Sequence, residues 1–326
     1  MIRTGLIALA VVAAVGTACG KDSKQAAGGG GSTTASSGDD LGYLPVASQV
    51  VAGIDVAQLQ GSALWKDFVQ PLIMKDGQAQ IAEFQQKCGF DPMTAVKHVT
   101  VGLKNADGRN PAGVIVVHGL DKAKVMACVD KQKAELAKEN VEVTVEGDVV
   151  MMKQQGEVPV GFTFIKDTTA IVVVGPDATA TGVKAAAAGG SALAKSAKFS
   201  SVHGKIGSGK SIWFVVDGTT PMVAKGLGQL NIAAEAAFGS IQVTDKLAVD
   251  ARLRLPSADE ATATATRLRE GVGEMVSGFV EKIEFGNDDR DMKVTSTVTK
   301  AQLETLSGVL GLKRGGGSKA PEEGPQ

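Results

Sequence analysis

The sequence has few aromatic side chains. They make up 4% of it, with two tryptophans and one tyrosine in 326 residues. Sugar-binding platforms and single-stranded nucleic acid surfaces depend on exposed aromatic rings, so both are disfavoured. An excess of charge of either sign is also missing. The 34 basic and 35 acidic residues are interspersed and leave a net charge of −1, which offers no basic field to nucleic acid. Beyond one short stretch at the N-terminus there is no long apolar run, so no transmembrane span is expected. Histidine occurs three times. GxSxG, HExxH and CxxC spacings are all absent, which removes the usual signals of a serine hydrolase, a zinc protease and a redox dithiol.

What is present begins at the N-terminus. Arg3 precedes the uncharged run Gly5 to Ala18, too short for the roughly 20 residues a bilayer requires but suited to a signal peptide. The run ends in Val15-Gly16-Thr17-Ala18-Cys19, which resembles the lipobox of bacterial lipoproteins. Thr17, Ala18 and Cys19 follow that family's pattern, and Gly16 stands where Leu, Val or Ile is usual. The resemblance covers the first twenty residues. It implies cleavage after a signal peptide at 1–18, a diacylglycerol on Cys19 and a palmitoylated, membrane-anchored lipoprotein of the cell envelope. Residues 19–40 are rich in Gly, Ser and Thr and read as a flexible, disordered spacer.

The cysteine count agrees with export. With Cys19 lipidated, Cys88 and Cys128 remain as a pair in an oxidising compartment, where a disulfide persists and contributes roughly 2–4 kcal/mol. Two buried thiols packing as small hydrophobes are the alternative.

Periodicity from Leu41 onward alternates strands with helices. Strands are expected at 49–56, 97–104, 112–119, 141–146 and 149–154 and as a pair within 160–174 turned at Asp167-Thr168, with helices at 62–69, 77–87, 121–138 and 177–188. After a linker at 191–211 the pattern restarts. Strands are expected near 212–217, 236–244, 246–255, 279–286 and 291–299, with helices at 221–230, 257–277 and 300–312. Ser257 with Glu260 three residues later makes a capping box. The fold expected is α+β. Two similar units at 41–190 and 212–312 would each be a mainly antiparallel sheet with helices packed on one face. A disordered tail at 313–326 follows.

Several motifs compete with plain structural readings. Gly204 to Ser211 matches GxxxxGK[ST], but a phosphate loop needs a strand before it and a helix after it. Here a strand, Ile212–Val216, follows, so no nucleotide is expected. If the hairpin turn centres on Gly108, His98 and His118 face each other across the ladder. They could begin a zinc or copper site, but no third ligand is evident, so they are weak metal candidates and no cofactor is expected. Asn287 to Asp291 reads as a solvated turn rather than a calcium loop. His203 lies in the linker without an orienting partner. The body is similar only to uncharacterised Gram-negative envelope lipoproteins. The function expected is a non-catalytic, lipid-anchored binding or interaction module. Its partners would be the membrane through its lipid, and an unknown envelope protein or small ligand. The competing expectation is an envelope hydrolase or metal-dependent enzyme. A deep polar cleft would favour that enzyme, and an apolar groove or bare sheet face would favour binding.

Overall fold

The computed structural model describes residues 37–106, 111–191 and 193–309. The signal peptide, Cys19, most of the spacer, the tip of the Gly108 turn and the tail at 313–326 lie outside the described residues. The described chain is α+β and is built on an antiparallel sheet. Its strands are β1 Val50–Asp55, β2 His98–Lys104, β3 Ala112–His118, β4 Val141–Glu146, β5 Val149–Gln154, β6 Val160–Lys166 and β7 Thr169–Val174 in the first half. β8 Ile212–Asp217, β9 Ala236–Val243, β10 Lys246–Arg254, β11 Lys282–Asp288 and β12 Asp291–Thr299 form the second.

The two halves share one sheet. The strand order is β11-β12-β10-β9-β8-β1-β2-β3-β7-β6-β5-β4, and β1 pairs with β8 from Val50↔Val216 to Ile54↔Ile212. Separate sheets were expected because a strand's own pattern does not name its neighbour. Reading outward from the join, β1-β2-β3-β7-β6 and β8-β9-β10-β12-β11 follow the same connections, and the first half adds the hairpin β4–β5. The helices of the first half are α1 Ser37–Asp40, α2 Val56–Gly61, α3 Gln70–Cys88, α4 Pro92–Ala95, α5 Lys122–Lys138 and α6 Ala180–Ala188. Those of the second are α7 Ala197–His203, α8 Pro221–Gly228, α9 Ala258–Ser277 and α10 Lys300–Val309, and the long α5 and α9 take matching places after β3 and β10.

Helices cover both faces of the first half. Alternation along each strand sends Val99, Val101, Ile115 and Val117 to one face, under α5. Val51, Val114, Val116 and Ile171 go to the other, under Leu41, Leu44, α6 and α7. In the second half, Arg254 of β10 reaches Ser201 of α7, and on the same face the Asp250 carboxylate pairs with both Arg252 and Lys293.

The stretch 191–211, expected as a linker, is built structure. It contains a 3₁₀ turn, Leu193–Lys195, and then α7, and it buries Leu193, Phe199 and Val202. A π-helical turn at Trp65–Val69 runs directly into α3, where two separate helices were expected. Ser62 still caps that segment, its hydroxyl accepting the Trp65 N–H at 3.1 Å. Ser257 does the same for α9, accepting from Glu260 N–H at 3.2 Å. Cys88 at the end of α3 and Cys128 on α5 form a disulfide, with Cα atoms 4.6 Å apart. Among the described residues no helix is long and apolar enough to cross a membrane.

Candidate functional site

Two features stand out, one on each face of the first half. The first is an apolar slot between the sheet and the α3–α5 pair. Sheet residues Phe162, Phe164 and Val172 form its floor, Val125 and Val129 of α5 one wall, and Phe84 of α3 the other. Phe84 meets Phe90 edge to face, with ring centroids 5.1 Å apart. The cavity they enclose is about 50 Å³, small beside the roughly 300–1,000 Å³ of drug-sized sites, so it offers room for a small apolar group. Every lining side chain is apolar, and the one cysteine among them, Cys128, is held in the disulfide. A site so lined can hold a ligand by burial but has no group to move a proton.

The second feature is a polar row on the opposite face. Asp55, His98, His118 and Thr169 are successive cross-strand neighbours on β1, β2, β3 and β7. The expected pairing of His98 with His118 is therefore observed. Asp40, expected as the last residue of the spacer, ends α1 and is buried over this row at 2% exposure. Its carboxylate accepts the Thr100 hydroxyl at 2.6 Å and His118 Nε2 at 2.9 Å. His118 Nδ1 lies 3.2 Å from the Thr169 hydroxyl, and His98 Nε2 lies 3.2 Å from that of Thr100. No sequence signal pointed to Asp40, because its partners are strands away in the chain.

Burial is the largest influence on His98 and holds its pKa below the ordinary histidine value. The pull of Asp40 opposes this, His118 adds to it, and Asp55 opposes it. The chain Thr169–His118–Asp40 has the members of a hydroxyl–imidazole–carboxylate relay. Thr169 is 5% exposed, however, and Asp40 caps the other side, so a substrate carbonyl has no approach. The Thr100 hydroxyl stands between His98 and Asp40, whose nearest approach is 3.9 Å. Among the described residues no group of three His, Cys, Asp or Glu side chains is arranged to hold a metal ion.

The remaining motifs resolve as structure. Gly204 to Ser211 leads from α7 into β8, so the helix a phosphate loop needs after it is a strand. Lys205 of that run pairs with Asp291 at 2.6 Å, and the Ser211 hydroxyl accepts the Val243 N–H. The acidic turn expected to be solvated contains a fully buried carboxylate. Asp291 takes both arms of Arg254, at 2.6 and 2.8 Å. His203 ends α7, stacked on Phe199 and edge-on to Trp213, and burial lowers its pKa.

No family model matches the chain, and no curated protein does. A solved crystal structure of TP0453 is similar to it at a TM-score of 0.51 and 10% identity, covering 82% of this chain and 97% of that one. That likeness shows the fold alone. The shared architecture is the helix-covered antiparallel sheet described above.

Proposed function

We propose that the chain is an exported lipoprotein, anchored by lipid on Cys19 to a membrane of the cell envelope, and that it works as a non-catalytic binding module for a small apolar ligand. The observation that carries the binding reading is the slot under α3 and α5, whose lining contains no titratable side chain. Burying apolar surface is the interaction such a lining offers, at roughly 25 cal/mol per Å² removed from water. A non-catalytic reading is supported by the hydroxyl–imidazole–carboxylate chain among the described residues, which is closed to substrate. The address rests on the N-terminal resemblance together with the Cys88–Cys128 bond, which suits an oxidising compartment.

Native mass spectrometry of the chain extracted from bacterial membranes tests both parts. The reading expects a diacylglycerol mass on an N-terminal Cys19 peptide. It also expects an apolar molecule to be carried by the folded chain and lost on unfolding. An unmodified Cys19 removes the anchor. A folded chain that hydrolyses ester substrates, with the rate abolished by His118→Gln, replaces the binding module with an enzyme.

A further inference from the structure

A second cavity lies on the other face of the sheet from the slot, where the two halves join. Val51 of β1 and Val215 of β8 are paired across the join and line it. Leu193 of the 3₁₀ turn and Val202 of α7 line it too, and all four are buried. The cavity is about 150 Å³, the size at which an apolar cavity takes up benzene. Val46, also in its lining, stays 58% exposed, so apolar surface continues from the cavity toward solvent. Unlike the slot, this cavity has charge in its lining. Lys198 of α7 and Asp217 at the end of β8 meet there as an ion pair at 2.5 Å. We propose that the cavity binds a small monocarboxylate, with a ring-sized apolar body between α7 and the sheet and its carboxylate on Lys198.

The two charges are not equally spent. Asp217 Oδ1 accepts the Thr219 N–H at 2.9 Å and the Thr219 hydroxyl at 2.8 Å, and Oδ2 accepts Lys198. The Lys198 ammonium has more hydrogens than this one bond uses, and its side chain is 63% exposed. The Ser196 hydroxyl, which caps α7 by accepting the Phe199 N–H, keeps its own hydrogen to donate. The polar part of the lining therefore has donors to offer, and its carboxylate is engaged on both oxygens. That favours an anionic headgroup over a cationic one.

A carboxylate placed on Lys198 shares the ammonium with Asp217 and displaces nothing. The protein already builds this arrangement elsewhere, where Lys205 Nζ lies 2.6 Å from Asp291 and 3.2 Å from Asp288. A ligand cation has to displace Lys198 from Asp217 before it can pair. The two parts of the ligand contribute unequally. Burial of the apolar body supplies most of the affinity, and the headgroup contact, exposed to water, adds about fivefold.

Titrating the full chain at pH 7 with benzoate, benzyl alcohol, benzylamine and acetate, followed by amide NMR, tests the site. Benzoate is expected to shift the Phe199, Val202 and Val215 amides saturably, with binding about fivefold tighter than that of benzyl alcohol. Acetate, which lacks the apolar body, and benzylamine, which carries the opposite charge, are expected to bind more weakly than benzyl alcohol. Lys198→Met keeps the stem without the charge, and is expected to bind benzoate no better than benzyl alcohol, with benzyl alcohol unchanged. Four results each overturn the proposal: no saturable shift, shifts confined to Val125 and Phe162 of the slot, benzylamine binding tighter than benzoate, or wild-type affinity of Lys198→Met for benzoate. If Lys198→Met also loses benzyl alcohol, Lys198→Arg decides. Benzoate preference kept within about twofold supports the site, and loss of that preference rejects it.

Discussion

The indole of Trp213 lies directly over Gly53, its cross-strand neighbour at the join of the two halves, so that a β-carbon on residue 53 would sit 2.0 Å from Nε1. Glycine is required there for space. Gly53→Ala should destabilise the chain by about 1–3 kcal/mol through overpacking, read as a lower urea midpoint at unchanged slope. Because Trp213 packs on His203 and into the core that holds Val51 and Val215, the defect sits at the β1–β8 pairing. Adding Trp213→Leu should return part of the loss. If Gly53→Ala unfolds at the wild-type midpoint, the close approach is not present in solution.

Asp291 contributes a different kind of hold. Burial pushes its carboxyl up, but hydrogen bonds and charge from Arg254 and Lys205 outweigh it and keep the pKa below the ordinary aspartate value. The stability from this pairing is therefore present above about pH 4 and is lost as pH falls below the ordinary value toward the folded one. Asp291→Asn leaves Arg254 buried without its partner, and should cost about 3 kcal/mol. The check is equilibrium unfolding at pH 7 and pH 3. The variant should fall well below wild type at pH 7, and the gap should narrow by up to about 1 kcal/mol at pH 3.

The Cys88–Cys128 bond ties α3 to α5. Among the described side chains of α3, Phe84 and Cys88 are the buried ones. Replacing both cysteines by alanine should lower stability by about 2–4 kcal/mol. The α3 amides should lose protection before those of β3 or β7 do. Simultaneous loss in helix and sheet would show that α3 is held by more than its end.

How far the sequence reveals this molecule depends on whether a signal is local. The hairpin centred on Gly108 put His98 opposite His118, and the ladder has that register. Ser257 marked the start of α9, and the parity of the cysteines gave the disulfide. The union of the halves was not legible. Ile54 and Ile212 read as ordinary strand residues, and nothing in either stretch encodes the other. Asp40 followed a Gly/Ser-rich run and shared its apparent disorder, because its partners, Thr100 and His118, lie far along the chain. The helix at Ala197–His203 was hidden by flanking Gly and Ser, although Phe199 and Val202 stand one helical turn apart and both are buried. Asp291 looked like a turn aspartate because Arg254 and Lys205 reach it from two other elements.

The central claim is that the slot beneath α3 and α5 takes an apolar ligand. Titrating the full chain with the environment-sensitive dye N-phenyl-1-naphthylamine tests it most directly, alongside Val125→Trp. Val125 lines the slot from α5 and is half-buried, so tryptophan there fills the slot from the helix side without replacing a core residue. The account predicts saturable binding of one dye per chain, displacement by a long-chain hydrocarbon, and at least tenfold weaker binding to Val125→Trp with the fold intact. Dye binding of equal strength to the wild type and to a folded Val125→Trp, or no saturable binding at all, would contradict it.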